Sequence, residues 1–372
     1  MKNWGNPRRL YLIAAALVLV AIGLLATWNH WQKPAGQAAG SDVVMPEGSA
    51  TPSPMELLES ASPAPEPTED MSAAIDTNTM STVVYYQDDS GYLVPVMRQV
   101  PLEQGVAKAT LSLMVKNEQN DMDAARLGLR TVLPEGCEFD LDINEKGEAR
   151  IDLSREVLKM PDAEAEQNMV QAIVQTLTEF DTVKTVEFLV EGQHREQLPH
   201  GTSIEGKFER GNINPETNDG ASAGSRAVTL YFPCESTAVI VPVTRQVYGK
   251  ADVQTAVLEL AKGPAAAGML DEALPAGCGV ISAEVVDGVA KINFTGEFIQ
   301  LAQNSDGGRM ALKALVLTCT QFEGVEKVEL YVEGEPYDPG AATLAVPTFV
   351  NVADDIVNTY IESQTALIFD FD

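Results

Sequence analysis

Alternating acidic side chains are the residues of this sequence best suited to bind a metal. Asp140, Asp142 and Asn144 precede Gly147, and a calcium loop takes hard oxygen ligands from alternate positions in the same way. The glycine stands at loop position eight rather than six, however, and position twelve is Ile151 rather than glutamate. The intervening residues are apolar: Phe139, Leu141 and Ile143. Because this alternation is typical of a strand with one wet face, we predict a solvated strand with no metal ligands and no cofactor.

The four cysteines offer little reactive chemistry. Cys319 falls on the apolar face of a predicted helix, so we interpret it as a small buried side chain rather than a nucleophile. Cys137 and Cys278 hold equivalent positions in the internal repeat described below, which argues against a bridge between them. Cys234 with Cys278 or with Cys319 remains as the candidate disulfide.

His194 and His200 lie close together in one predicted loop. A serine–histidine–aspartate site needs a nucleophile beside such a base, but the repeat keeps no nucleophile together with a base, and the second copy has no histidine. We therefore predict that both histidines lie on a loop surface. The chain is predicted to have no catalytic residues and not to be an enzyme.

The composition excludes several classes of function. Lys and Arg number 25 against 54 Asp and Glu, and the net charge of −29 should repel phosphate backbones, so we expect no nucleic-acid partner. All three tryptophans precede residue 32, which disfavours a tryptophan-lined sugar platform. Three histidines and four cysteines also make a metal enzyme improbable.

An uncharged apolar run at residues 10–28 predicts a transmembrane anchor. As a helix it reaches about 28 Å, close to the thickness of a hydrocarbon core. Only basic charges precede it, so residues 1–9 are predicted to be cytoplasmic and the bulk extracytoplasmic, in a single-pass membrane protein. The alternative is a cleaved signal peptide, but the apolar run is long and lacks a small-residue cleavage site. No cysteine follows closely, so we do not expect a lipoprotein.

Residues 29–80 contain seven prolines and are predicted to form a disordered tether.

The remainder of the chain is an internal repeat. Three segments recur: 94–100 as 241–247, 133–137 as 274–278, and 176–192 as 318–334. In the same alignment, Ile281 and Ala283 stand where the first copy has Asp140 and Asp142. Units of this size are tandem domains rather than solenoid repeats. We place the domains at 81–210 and 227–349, joined by a linker at 211–226 and followed by an acidic tail at 350–372. The end of the tail is consistent with an edge strand or with a loose end.

Each copy shows the same pattern of predicted elements. Strands open it at 83–86 and 228–232, and a second strand holds Val-Pro-Val, which is typical of an edge strand or a bulge. A helix follows with apolar residues at i, i+3 and i+7: Val106, Ala109 and Leu113, or Val253, Ala256 and Leu260. After a hairpin, a longer helix carries a second apolar face: Met169, Val170, Ile173, Val174, Leu177 and Phe180. We predict an α+β fold, with two helices packed on a small mixed sheet in each domain.

These motifs resemble the GerM domain family of sporulation and spore germination. The resemblance rests on Tyr231-Phe232, the Leu-Val-Pro-Val strand at 93–96, a helix ending in Gly-Pro at 258–264, Leu-Pro-x-Gly, and a terminal Thr-x-Phe-x-x-Val-x-x-Val-x-x-x-Val-x-Gly. The first copy departs from it where Lys116-Asn117 replaces Gly-Pro, and the anchor departs where the family member has a lipoprotein cysteine. The resemblance implies an extracytoplasmic protein of spore-forming bacteria, with domains like ring-building modules and no known catalytic residues.

The functional prediction is a membrane-anchored, extracytoplasmic scaffold that acts in sporulation or germination. Its predicted partners are other envelope or sporulation-complex proteins, and one N-terminal helix contacts the membrane. The alternative is a peptidoglycan-binding module of the cell envelope. Such a module would need exposed aromatic side chains, whereas Tyr85 and Phe232 fall in predicted strands.

Overall fold

In the computed structural model, each copy contains a two-stranded antiparallel hairpin, a four-stranded mixed sheet and the helices between them. The structure describes residues 79–102, 105–216, 223–234, 237–265, 270–302, 305–339, 347 and 349–353. These residues belong to one compact unit. Within these ranges, no helix is both long and apolar enough to cross a membrane. The predicted cytoplasmic end and anchor, the tether up to residue 78, and most of the tail lie outside the described residues. Thr79 and Met80, predicted as the end of the disordered tether, belong instead to the first strand, where they pair with Pro101 and Val100.

The first copy begins with the hairpin of β1 and β2. Its elements are β1 (Thr79–Gln87), β2 (Leu93–Pro101), α1 (Val106–Ser112), α2 (Glu118–Ala125), β3 (Phe139–Ile143), β4 (Glu148–Leu153), α3 (Ala163–Leu177), β5 (Thr185–Val190) and β6 (Lys207–Phe208). The larger sheet has the order β3-β4-β5-β6. Strands β4 and β5 are parallel because α3 provides the crossover that parallel neighbours require.

The second copy repeats this plan. Its elements are β7 (Ser225–Cys234), β8 (Val239–Tyr248), α4 (Val253–Leu260), β9 (Val280–Val286), β10 (Val289–Phe294), α5 (Ile299–Ala302), α6 (Ser305–Thr320), β11 (Lys327–Val332) and β12 (Glu335–Tyr337). The sheet order is β12-β11-β10-β9, with β10 and β11 parallel. The predicted α+β class and the mixed sheets are confirmed.

The long helix of each copy packs against both the opening hairpin and the larger sheet. In α3, Met169, Ile173 and Leu177 are fully buried, as the apolar spacing predicted, and the Asp162 side chain caps the helix by accepting from the Ala165 amide. The hairpin is fixed to the helix in the same way in both copies. The amide of Tyr85 donates to Thr176 Oγ1 at 3.2 Å, and in the second copy the amide of Tyr231 donates to Thr318 Oγ1 at 3.2 Å.

The first copy departs from the predicted helices in two places. In α1 the buried face is shifted by one residue from the prediction and consists of Ala107, Thr110 and Leu111. Thr110 is tolerated there because its hydroxyl donates to the Val106 carbonyl. Met114, just after the helix, is buried in place of the predicted Leu113. Where Lys116-Asn117 replaces Gly-Pro, the Asn117 side chain accepts from the Asn120 amide and begins an additional helix, α2. In the second copy, the predicted face of Val253, Ala256 and Leu260 is buried.

Candidate functional site: the cleft between the two copies

The two Val-Pro-Val strands, β2 and β8, lie next to each other where the copies meet. Each proline stands opposite a tyrosine of its own hairpin, Pro95 opposite Tyr85 and Pro242 opposite Tyr231. Proline has no amide hydrogen, which confines it to an edge strand, as predicted. The buried apolar side chains of both copies form one continuous core across this junction.

Asn214, which follows the first copy, joins the two strands. Its Oδ1 accepts from the Leu93 amide at 2.8 Å, and its Nδ2 donates to the Leu93 carbonyl at 2.8 Å. The same Nδ2 donates across the junction to the Pro242 carbonyl at 2.7 Å. The backbone carbonyl of Asn214 also accepts from the Thr244 amide. One buried side chain thus connects β2 to β8.

Asn351, which follows the second copy, makes the same contacts with the roles of the copies exchanged. Its side chain accepts from the Ile240 amide and donates to the Ile240 carbonyl, each at 2.8 Å. It also donates across the junction to the Pro95 carbonyl at 2.8 Å, and its carbonyl accepts from the Met97 amide at 2.8 Å. The two asparagines therefore form a clamp with approximate twofold symmetry, here called the asparagine clamp.

A cleft of about 480 Å³ opens beside the asparagine clamp. Its walls are equivalent residues of the two hairpins: Tyr85 and Tyr231, Pro95 and Pro242, and Met97 and Thr244. The segments around Asn212 and Val350 complete the lining. The position of this cleft on the approximate twofold axis makes it the candidate functional site.

One wall of the cleft carries a cluster of Tyr85, Glu179 and Arg210. The Tyr85 hydroxyl donates to Glu179 Oε1 at 2.7 Å and accepts from Arg210 Nη2 at 2.8 Å. Arg210 also pairs directly with Glu179 and donates to the Gln175 carbonyl at 3.2 Å. These polar groups bind one another, so the cluster fixes the position of residue 210 at the end of the first copy.

The cluster has no counterpart of the same chemistry in the second copy. Gln321 occupies the position equivalent to Glu179, and its amide accepts from the Thr229 amide at 2.9 Å and donates to the Thr229 carbonyl at 2.6 Å. The carboxylate and the guanidinium therefore lie on one side of the cleft. The cleft is symmetric in its backbone and asymmetric in its charge.

Burial raises the pKa of Tyr85 well above its ordinary value of 10.0, and the Glu179 carboxylate raises it further. Because the folded state holds this proton more tightly than the unfolded chain, the stabilisation is complete below pH 10 and is lost as the pH rises above it. Burial also raises the pKa of Tyr86 to about 12. The folded protein should therefore lose stability in alkaline solution.

Tyr85→Phe tests this alkaline dependence. The variant is expected to lose about 1 kcal/mol at neutral pH, because Glu179 and Arg210 lose a partner. Its unfolding free energy should then fall less steeply than that of the wild type when urea titrations are repeated above pH 10. Tyr248→Phe is the matched control, since that side chain is 75% exposed. A Tyr85→Phe variant with the same alkaline slope as wild type would contradict the assignment.

The predicted solvated strand is confirmed for the acidic motif. Asp140 and Asp142 lie on the exposed face of β3, and Asp140 pairs with Lys108 at 2.9 Å. The Asn144 side chain accepts from the amides of Lys146 and Glu148 within the hairpin turn. Throughout the described ranges, no three His, Cys, Asp or Glu side chains are grouped closely enough to hold a metal.

The structure corrects the alignment of this strand with the second copy. A bulge in β9 places Val280 opposite Phe294 and Ser282 opposite Asn293, so Ile281 is an extra residue. Asp140 and Asp142 therefore correspond to Ser282 and Glu284 rather than to Ile281 and Ala283. The polar face of the strand is retained in both copies, which the direct sequence alignment concealed.

The cysteines are placed largely as predicted. Cys319 is fully buried in α6, and burial raises the pKa of its thiol to about 12. Burial likewise raises the pKa of Cys137 and of Cys278 to about 11. Cys278 and Cys319 are both free thiols among the residues that the structure describes. The two candidate disulfides with Cys234 are therefore wrong.

Both histidines lie on the surface of the loop between β5 and β6, as predicted. His194 Nδ1 is 3.8 Å from Glu187 Oε1. His200 Nε2 is 2.8 Å from the Met160 carbonyl. The fully buried Glu166 anchors this loop to α3, because its carboxylate accepts from the backbone amides of His200 and Thr202.

The sequence does contain one Gly-x-Ser-x-Gly run, at residues 220–224. A nucleophile elbow requires such a run between a strand and a helix. Here strand β7 begins directly after the run, at Ser225. The context therefore differs from that of a nucleophile elbow, and only residues 223 and 224 of the run fall within the described ranges.

The arginine of the repeated Val-Pro-Val-x-Arg-Gln-Val motif organises each copy. Arg245 pairs with Glu216 in the linker, with Nη2 2.7 Å from Oε1, and also with Glu259. It donates to the Gly263 carbonyl at the end of α4. Arg98, the equivalent residue, pairs with Asp123 at 3.2 Å. Arg245 thereby fixes the start of the linker to the second copy.

Sequence reasoning missed the residues that build the cleft. Asn214 and Asn351 lie in segments assigned to a linker and a tail, Glu179 stands at a variable position of the terminal Thr-x-Phe motif, and Arg210 belongs to no motif. One signal was available: Ile-Asn at 213–214 and Val-Asn at 350–351 each follow one copy. Extending the repeat comparison past the predicted domain ends would have paired them.

Fold and cleft together define a protein of two tandem α+β domains, joined by a continuous apolar core and by a nearly symmetric pair of asparagine contacts. The family model described as "Sporulation and spore germination", named Germane, matches residues 83–196 and 229–338. The chain belongs to this family, which confirms the resemblance drawn from its motifs.

Two relatives extend the comparison. The chain is 29% identical over 271 residues to the "Spore germination protein GerM" of Bacillus subtilis (strain 168), covering 70% of this chain and 73% of that one. The solved structure "Tandem GerMN domains of the sporulation protein GerM from Bacillus subtilis" matches with a TM-score of 0.61 and 27% identity. That match covers 74% of this chain and 99% of the solved chain. The tandem arrangement is therefore shared with a sporulation protein.

Proposed function

We propose that this member of the sporulation and germination family is a membrane-anchored, extracytoplasmic scaffold that acts through contacts with other envelope proteins. The observation that carries the proposal is the asparagine clamp. It holds the two domains in one arrangement through buried hydrogen bonds at both Asn214 and Asn351. A domain pair fixed in this way presents its outer surfaces to a partner at constant spacing, as a scaffold requires.

Exposed apolar side chains on the second copy support a protein partner. Ile281 and Val285 of the edge strand β9 are 50% and 47% exposed, and Leu258 of the neighbouring α4 is 42% exposed. The bulge at Ile281 interrupts this edge, and such bulges reduce uncontrolled strand pairing. Large apolar side chains left exposed near one another favour contact with another protein.

The acidic composition sets the kind of partner. With 54 acidic residues against 25 basic ones, the outer surfaces of two molecules of this chain repel each other, and a less acidic protein is the favoured partner for those surfaces. The apolar run at 10–28 would hold the protein at the membrane, and the proline-rich residues 29–80 would let the domains reach away from it.

The test is recovery of envelope proteins with the tagged full chain from detergent-solubilised sporulating cells. The double variant Ile281→Ser/Val285→Ser should recover at least about tenfold less of any specific partner, because burial of both side chains is lost. Tyr248→Ser, on a more exposed side chain of β8, is the control and should recover normal amounts.

Two outcomes would count against the scaffold. One is equal recovery by the double variant and the control. The other is retention of the purified protein on protein-free sacculi with no envelope protein recovered, which would favour the alternative of a peptidoglycan-binding module.

A further inference from the structure

The contacts that join the two copies occur in equivalent pairs. Leu93 and Ile240 are bound through both their amide and carbonyl groups, by Asn214 and Asn351 respectively. Each asparagine then reaches the proline carbonyl of the other copy. An interface in which the same groups meet with the roles exchanged is isologous, the type that closes twofold dimers.

We infer that this interface also accepts a second molecule of the same chain, by exchange of copies. The first copy of one chain would pair with the second copy of another through the same asparagine clamp. The groups needed for this are present in every chain, since all four partners of each asparagine are main-chain atoms of the two Val-Pro-Val strands, β2 and β8. No new surface has to form.

One contact specifies that unlike copies pair. Gly128 of the first copy approaches Thr237 of the second so closely that a Cβ there would lie 2.5 Å from Thr237 Cγ2. Exchange between two chains preserves this contact, whereas pairing of two first copies brings no Thr237 to Gly128.

The linker decides whether the interface closes within one chain or between two. Pro215 pairs with Thr244 on one edge of β8, and Ser225 pairs with Tyr248, four residues further along, on the other edge. Pro215 and Ser225 are therefore about 16 Å apart, because they are separated by about 13 Å along β8 and by two strand spacings across it. Without residues 217–224, only Glu216 separates Pro215 from Ser225, and the chain reaches about 7 Å. Shortening the linker should therefore force exchange.

A cross-link between two tagged chains tests the inference. Met97 pairs with Val352 across the interface, so one full chain carries Met97→Cys and the other carries Val352→Cys. Neither chain can form the new disulfide by itself, and a mixed disulfide requires exchange. In the intact chain, the second copy of the same chain competes with that of another chain for the first copy. Its effective concentration is about 1 mM, so little mixed disulfide should form. When both chains lack residues 217–224, the yield should rise at least about tenfold.

The control replaces the Val352→Cys chain with a Val285→Cys chain, whose thiol is exposed away from the interface and reports random collision. A mixed disulfide above this control supports exchange. Control-level yields from shortened chains that retain a folded circular dichroism spectrum overturn it. If the shortened chains do not fold, the intact chains at high concentration decide: yield above the control supports exchange, and yield equal to the control overturns it.

Discussion

Asn351→Ala is expected to lower the free energy of unfolding by about 3 kcal/mol, because it leaves three buried backbone groups without a partner. These are the amide and carbonyl of Ile240 and the carbonyl of Pro95. Asn214→Ala should have a similar effect through Leu93 and Pro242. Urea titration followed by circular dichroism measures both losses.

Asn212→Ala is the matched control for this prediction. Asn212 is exposed and stands two residues before Asn214, so its replacement should change the unfolding free energy by less than about 0.5 kcal/mol. Because both asparagines join the same two strands, the double variant Asn214→Ala/Asn351→Ala should lose less than the sum of the single losses. Losses below about 1 kcal/mol for both single variants would show that the clamp does not hold the copies together.

Arg245→Ala is expected to destabilise the protein by about 3 kcal/mol, since it leaves the buried carboxylate of Glu216 without its cation. The side chain of Arg245 is 13% exposed and that of Glu216 is 8% exposed. The variant also removes donors to the carbonyls of Glu259 and Gly263. Arg245→Lys should recover only part of the loss, because an ammonium group cannot reproduce the two-point contact with Glu216.

Arg98→Ala, at the same position of the repeated motif, is the internal comparison. Within the part of the chain that the structure describes, Arg98 pairs with Asp123 alone, and the two side chains are 18% and 22% exposed, so the expected loss is about 1 kcal/mol. Unfolding free energies of the two variants, measured under identical conditions, test the difference. Equal losses would mean that the linker contact of Arg245 contributes nothing to stability.

The sequence predicted elements reliably where the pattern was long and local. The apolar face of α3 and the strand alternation in β3 to β5 appeared as expected, because each depends on periodicity within a few turns or residues. A shift of one residue within an element, by contrast, could not be recognised from the sequence pattern. The shifted face of α1 and the bulge at Ile281 both change which side chains face inward without changing the composition of the segment.

By itself, the sequence determined the duplication, the order of the main strands and helices in each copy, the α+β class and the family, but not α2, β6 or β12. Repeats, hydrophobic periods and turn residues are properties of contiguous segments, so they can be recognised without knowing which segments meet. The tertiary structure decided how the copies join. Asn351 contacts Pro95 across 256 positions of sequence, and its partners are backbone amides and carbonyls. Because nearly every residue carries those groups, no side-chain pattern marks them, and only the folded arrangement of β2 beside β8 shows which ones are used.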